Sequence, residues 1–419
     1  MSLAAPLRQR DFRLLWSGMS VSLLGDGIFL VAIAWQVYAL DDRPSSLAYV
    51  GVALSAPQVA LLPVAGALCD RLRRQLVLFW SDVVRATTVG VLAVVTATGT
   101  VQMWQLYLAG AVLGSAAAFA SPAFDALIPE LVPGDDLDRA NALEQFVRPA
   151  TLQLAGPALG GVVVATVHTA GALGIDAASF VYSAYCIARM APIPKPGAPG
   201  ARGRLRQEVV EGLRYVRRRV WLWGTFLSAT FTYLLFIGPT QVLLPYIVRN
   251  EMHEGASAYG IVLAAGGVGA LIGAMAMGTL RAGTRGMTWI YVCWTIATLV
   301  VAGYGLATRV WELVLVSLVL NGAEVMGAVV WVTLKQRRVV NSMLGRVSSI
   351  DWFVSTALLP LSYAITVPVS RALGAGTTLV VAGTAGAVVT FGFLLLPGMR
   401  AEPAGAESGQ PAAAGTPAS

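Results

Sequence analysis

The sequence predicts an all-α integral membrane protein of twelve transmembrane helices, arranged as two six-helix bundles. Of its 419 residues, 56% are hydrophobic and only 12% charged, about half the charged share of a soluble domain. The apolar residues fall into twelve runs of about 20 residues or more, each long enough to cross roughly 30 Å of hydrocarbon. Arg and Lys gather at alternate ends of those runs. Too few charges remain to cover a water-facing surface. That excludes a soluble enzyme, a nucleic-acid binder and a secreted disulfide scaffold. The net charge of +7 is no sign of nucleic acid, because membrane topology accounts for where it sits.

The first run, 12–40, is too long for a signal peptide and lacks a clear cleavage site. Runs 47–69, 76–98 and 103–128 follow. Run 142–167 is the fifth and 172–191 the sixth; Asp125, Glu144 and Arg148 interrupt the ends of the fourth and fifth. The second set is 220–248, 258–280, 287–307, 311–334, 350–373 and 377–397. With both termini cytoplasmic, 25 of the 29 Arg and Lys residues fall inside, Arg85 among them, and four outside: Arg43, Arg249, Arg309 and Arg371. Moving one span would scramble that bias, so it supports both the count and the orientation.

The chain divides into an N-terminal bundle (1–192), a cytoplasmic linker (193–219), a C-terminal bundle (220–400) and a disordered cytoplasmic tail (401–419). The linker opens on a Pro/Gly stretch, 194–200. Leu205, Val209, Leu213 and Val216 then recur at helical spacing among arginines, the pattern of a helix lying on the inner membrane surface. The tail is Ala, Gly, Pro and Ser with Glu402 and Glu407, and cannot bury a core.

Cys69, Cys186 and Cys293 lie far apart in apolar surroundings and read as small buried hydrophobes. His168 and His253 fall in predicted loops with no metal-ligand spacing. Neither Lys195 nor Lys335 sits in a P-loop. The chain therefore needs no metal or cofactor. Its energy comes from a gradient, the proton gradient first, or from another subunit.

Between runs two and three stands Gly66-Ala67-Leu68-Cys69-Asp70-Arg71-Leu72-Arg73-Arg74. It resembles the cytoplasmic signature of the major facilitator superfamily, with Arg73 where the pattern has its second glycine. Gly278 and Arg285 repeat the spacing of Gly66 and Arg73 in the second half. The resemblance implies two six-helix bundles around a central cavity, with Gly66, Asp70, Arg71 and Arg74 as parts of a cytoplasmic gate. Asp70 can cap a helix, and Arg74 can pair with an acid on a neighbouring span, Asp125 being the candidate. Run five contains Gly156-Pro157-Ala158-Leu159-Gly160-Gly161. It resembles a motif of proton-coupled exporters; a plain packing kink is the other reading. Further stretches, Phe12–Trp16, Ser22–Asp26, Arg139–Leu143, Asp176–Phe180, Gly238-Pro239 and Gly345–Val347, resemble one branch of the superfamily. That branch holds the enterobactin exporter and macrolide-efflux-type permeases, with a related lysophospholipid transporter.

A charge at the bilayer centre is costly, so intramembrane acids are candidates for function. Asp26 lies near the middle of run one and Glu324 near the middle of run ten. Either can exchange a proton as water access changes, or hold a substrate's charge; a buried structural acid is the alternative. Glu144 with Arg148 and Asp82 with Arg85 read as local pairs, Asp176 as structural, and Asp351 as favouring its helix start. Trp35, Tyr38, Tyr233, Phe236 and Trp331 are candidate cavity linings.

The resemblance implies a secondary active transporter, a proton-coupled antiporter exporting an amphipathic small molecule such as a drug, a siderophore or a secondary metabolite. Rocker-switch alternating access is the implied mechanism, and the cytoplasmic membrane of a prokaryote the implied location. The partners are a small-molecule substrate and the lipid bilayer. No ATPase partner is needed, and a monomer is the family default. A lysophospholipid flippase, an uncoupled facilitator and a non-transporting receptor or scaffold stay open. An enzyme is disfavoured, for lack of a nucleophile–base or metal cluster.

Overall fold

The computed structural model describes residues 5–69, 72–132, 134–192, 204–279 and 285–400. The linker's Pro/Gly stretch and the tail, expected to be disordered, lie outside the described residues, as do Asp70 and Arg71. Among the described residues there is helix and no strand. The first half comprises α1 (Arg10–Leu40), α2 (Pro44–Cys69), α3 (Arg74–Ala97), α4 (Met103–Leu131), α5 (Gly134–Arg148) and α6 (Gly156–Ala188). A π-helical turn, Pro149–Ala155, joins the last two. After α7 (Arg204–Arg217) the second half comprises α8 (Val220–Tyr246), α9 (Ala256–Thr279), α10 (Gly286–Leu306) and α11 (Val310–Arg338). It closes with α12 (Asn341–Ala357), α13 (Leu359–Leu373) and α14 (Ala375–Leu394).

Among these residues, 11 helical stretches are long and apolar enough to cross a membrane. One of them, Phe146–Ala188, has 43 residues. As a straight helix it would run about 65 Å, twice the hydrocarbon thickness. It folds back instead at His168, whose φ of 62° and ψ of 175° leave helical space. Twelve crossings result. Pro360 kinks another crossing between α12 and α13. Asp41 ends the first crossing. The hydroxyl of Ser46 donates to it at 2.7 Å and holds its carboxyl below the usual carboxylate range.

His168 occupies a conformation that favours glycine, at a cost of order 1–3 kcal/mol. His168→Gly is expected to stabilise the purified protein by about 1 kcal/mol, after glycine's own entropic cost. Thermal unfolding checks this; an unchanged or lower midpoint would mean the turn is unstrained.

Three apolar clusters hold the helices. The largest draws on both halves, and its members all lie toward the face away from the chain ends: Val31, Val37 and Tyr38 of α1, Val242 and Leu243 of α8, and Leu379 of α14. Toward the face carrying the chain ends, the core splits in two. Phe12, Leu78 and Leu127 belong to the first half alone, and Trp221, Ile290 and Trp331 to the second alone. Among the described residues the halves are thus joined at the far face, and their buried apolar core divides toward the terminal face.

The joint is built from backbone as much as from side chains. A Cβ on Gly260 of α9 would lie 2.5 Å from the carbonyl oxygen of Pro157, and one on Gly161 would lie 2.9 Å from that of Ala256. Beside this seam the Tyr38 hydroxyl donates to the carbonyl of Val242 at 2.6 Å. The Arg249 guanidinium donates to the carbonyl of Trp35 at 2.9 Å. The linker helix α7 leans on α12: Arg346 pairs with Glu211 at 2.7 Å, and Gly212 faces Ile350. Val216 is buried while Leu213 stays exposed.

Candidate proton and substrate sites

Asp26 sits between two glycines that let α6 come close. A Cβ on Gly25 would lie 2.5 Å from a carboxylate oxygen of Asp176, and one on Gly27 would lie 2.7 Å from the Cα of Gly156. Asp176, almost wholly buried, accepts a hydrogen bond from Ser179 at 3.4 Å. Asp82 of α3, also buried, accepts one from Ser183 of α6. Arg85 lies over the Phe180 ring at 5.4 Å, and its charge acts on all three carboxylates. Asp26 in turn acts on Asp82 and Asp176. Three helices thus bring three acids and one guanidinium into one intramembrane group.

This corrects two expectations. Arg85 does not belong to the positive terminal face: α3 begins at Arg74, eleven residues earlier, which puts Arg85 about 16 Å into the membrane. Asp82 and Arg85 are not simply a local pair, since each also engages α6. From Asp26 a trail of charge leads toward the terminal face. Arg148 acts on Asp26 and on Asp125. It pairs with Glu144 at 3.2 Å, as its spacing of four predicts.

Of the gate motif, Gly66 lies in α2 and Arg74 opens α3. Arg74 does not pair with Asp125. Its partners are the Glu130 carboxylate at 2.6 Å and the Ala126 carbonyl at 2.8 Å. Residues 126 and 130 share a face of α4. Asp125 is turned about 140° from Glu130 and faces Glu144 and Arg148 instead.

Gly156, Pro157, Gly160 and Gly161 are packing surfaces on two sides. Gly156 and Gly160 meet Gly27 and Ile28 of α1, and Gly161 meets Ala256 and Ser257 of α9. Proline 157 follows the π-turn, where the Gly156 N–H donates to the Thr151 carbonyl. Trp35 and Tyr38, expected to line a cavity, instead form part of the far-face joint. Tyr38 is buried there, and Trp35 stacks on Tyr259 at 5.9 Å.

In the second half, Glu324, Tyr233 and Phe236 line one small recess, together with Trp294, Thr232 and Thr298. Trp331 is not part of it. It is buried edge-to-face against Trp221, with ring centres 5.9 Å apart, and its indole donates to Asp351 at 2.9 Å. Asp351 also holds Lys335 at 2.8 Å, so it is an ion-pair partner rather than a helix-start residue. A groove between α2, α3 and α4, lined by Leu68, Leu72, Leu76, Trp80 and Phe119, is apolar and open at its side.

Several known proteins resemble this chain. The MFS-type transporter YfiS of Bacillus subtilis is 26% identical over 278 residues, 65% of each chain, so the match spans just under two thirds of that relative. The enterobactin exporter EntS of Citrobacter koseri is 26% identical over 89% of this chain and 90% of its own. Macrolide efflux protein A of Streptococcus pyogenes is 23% identical over 64% and 66%. Among solved structures, a bacterial homologue of the iron transporter ferroportin in an inward-facing state aligns with a TM-score of 0.67, over 92% of this chain and 98% of that one. At 17% identity that likeness concerns the fold alone. The sequence profile of the transmembrane secretion effectors matches residues 1–403, and the chain belongs to that family of the major facilitator superfamily.

Proposed function

We propose that this protein is a proton-coupled exporter of an amphipathic small molecule, working by rocker-switch alternating access in the cytoplasmic membrane with both chain ends cytoplasmic. The observation that carries the reading is the intramembrane group of Asp26, Asp82, Asp176 and Arg85. Carboxylates held by one another and by a single guanidinium in a low dielectric are costly to keep unless they exchange charge with something. The far-face joint is then the extracellular closure, and the side where the core divides is the one that opens to the cytoplasm. In this state the group releases protons toward the carboxylates of Glu144 and Asp125, with the fixed charge of Arg148 favouring their ionised forms, while substrate enters. Rocking breaks the far-face joint, releases substrate outside and lets the acids reload. Monomeric operation without an ATPase follows from this scheme.

The test is compound-dependent proton release from energised inside-out vesicles, over a panel of lipophilic cations and neutral compounds. Wild type is expected to release protons. Asp26→Asn is expected to lose at least nine-tenths of the signal while the protein stays in the membrane. Flux without proton movement in any variant would overturn the coupling and favour a facilitator. The lysophospholipid flippase has one observation on its side, the side-open apolar groove between α2, α3 and α4. That groove lies within the first half and not between the halves. Lipid-analogue flux without compound export would move the reading there.

A further inference from the structure

We infer that the recess in the second half is a cation site, which reads the positive charge on an alkylammonium-type head group of the substrate. The inference rests on the exporter reading above and adds the charge of the cargo to it. The recess lies between α8, α10, α11 and α14. Four of its five hydroxyls already have partners, and the fifth, on Tyr233, stands near Glu324. Thr232 and Thr390 bond each other at 2.9 Å, Thr298 donates to the Trp294 carbonyl at 2.8 Å, and Ser228 bonds Tyr291. The Trp294 indole is used on the backbone carbonyl of Glu324 at 3.3 Å.

The Glu324 carboxylate stands apart. Among the described residues it has no hydrogen bond and no ion pair. A carboxylate in apolar surroundings without a partner must take up a proton or a cation. The walls favour the cation. Tyr233, Phe236 and Trp294 line the same recess, and aromatic faces attract ammonium groups, most strongly where water is excluded. The same walls and the same acid repel an anion. The first-half acids differ: Ser179, Ser183 and Arg85 attend them. The two halves therefore divide the labour, the first exchanging protons and the second holding the charged end of the cargo.

The test is equilibrium binding to the purified full chain in nanodiscs, with no gradient present. The probes are benzyltrimethylammonium, a permanent cation, and benzylsulfonate, an anion of similar size. Wild type is expected to bind the cation and not the anion. Glu324→Gln is expected to weaken cation binding at least tenfold, Glu324→Asp to weaken it less, and Gly174→Val, where an added Cβ meets nothing within 4 Å, to leave it unchanged. Phe236→Leu removes an aromatic face and is expected to weaken it roughly fivefold. Should Glu324→Gln fail to fold, Glu324→Asp and Phe236→Leu decide. Equal binding of both probes, or wild-type affinity in Glu324→Gln, overturns the cation site. Because no proton gradient enters the measurement, intact cation binding with no proton release in vesicles would overturn the coupling alone. Intact proton release with no cation binding would overturn this inference alone.

Discussion

Replacing Gly260 by valine is expected to cut transport at least tenfold while leaving a folded protein in the membrane. A Cβ at this position would lie 2.5 Å from the carbonyl oxygen of Pro157 and 2.9 Å from the Cα of Gly161. Both are backbone atoms and cannot rotate away, so α6 and α9 must part. Overpacking of this kind costs about 1–3 kcal/mol. In the proposed cycle that cost falls only on the arrangement with the far face joined, so it biases the population of states rather than the stability of either half. A shift of about 3 kcal/mol changes the ratio more than a hundredfold, which starves the cycle of one of its states. Substrate flux in vesicles gives the rate, and reagent access to a cysteine placed at the far face gives the population. Gly174, where nothing lies within 4 Å of an added Cβ, provides the control, and its valine variant is expected to transport normally. Wild-type flux in Gly260→Val would mean that the far-face joint is not a working part of the cycle.

The second large effect concerns stability. Asp351 accepts from Lys335 at 2.8 Å and from Trp331 at 2.9 Å. The two charged side chains are only 10% and 18% exposed, too little for water to stand in as a partner. Asp351→Ala leaves an ammonium unpaired among Trp331, Trp221 and their neighbours. The expected loss is about 3–5 kcal/mol, seen as a large fall in the thermal midpoint. A double variant, Lys335→Met with Asp351→Leu, removes both charges and is expected to recover most of it. Equal midpoints for Asp351→Ala and wild type would show that water reaches the pair.

Much of this architecture could be read from the residues. Run length and the placement of arginine carry the crossings, because a bilayer of fixed thickness imposes both. The exporter-like glycines of the fifth crossing were legible as close-packing residues, though not their partners, Gly27 on one side and Ser257 on the other. The site was harder. Asp26 and Glu324 stood out because each is an acid alone in an apolar run. Asp82 and Arg85 did not, since a charge three residues from its opposite looks like a self-contained pair, and Asp176 read as a structural group. Their meeting depends on how α3 and α6 rotate against α1, which no single run encodes. The Arg74 partner was missed for a similar reason. Asp125 and Glu130 are near neighbours in sequence, and only the face of α4 turned toward α3 chooses between them. Aromatic residues carried the least information, because Trp331 in a core and Phe236 in a recess have the same sequence surroundings.

The group around Arg85 also has an electrical consequence. With its three carboxylates ionised, Asp26, Asp82, Asp176 and Arg85 together carry two net negative charges. Moving one elementary charge through the full membrane voltage is worth about 2.3 kcal/mol per 100 mV. Any rocking that shifts these side chains relative to the field therefore does work that depends on how many protons they hold. Voltage and pH difference then act on the same four residues, so a potential imposed without a pH difference is expected to alter the turnover rate.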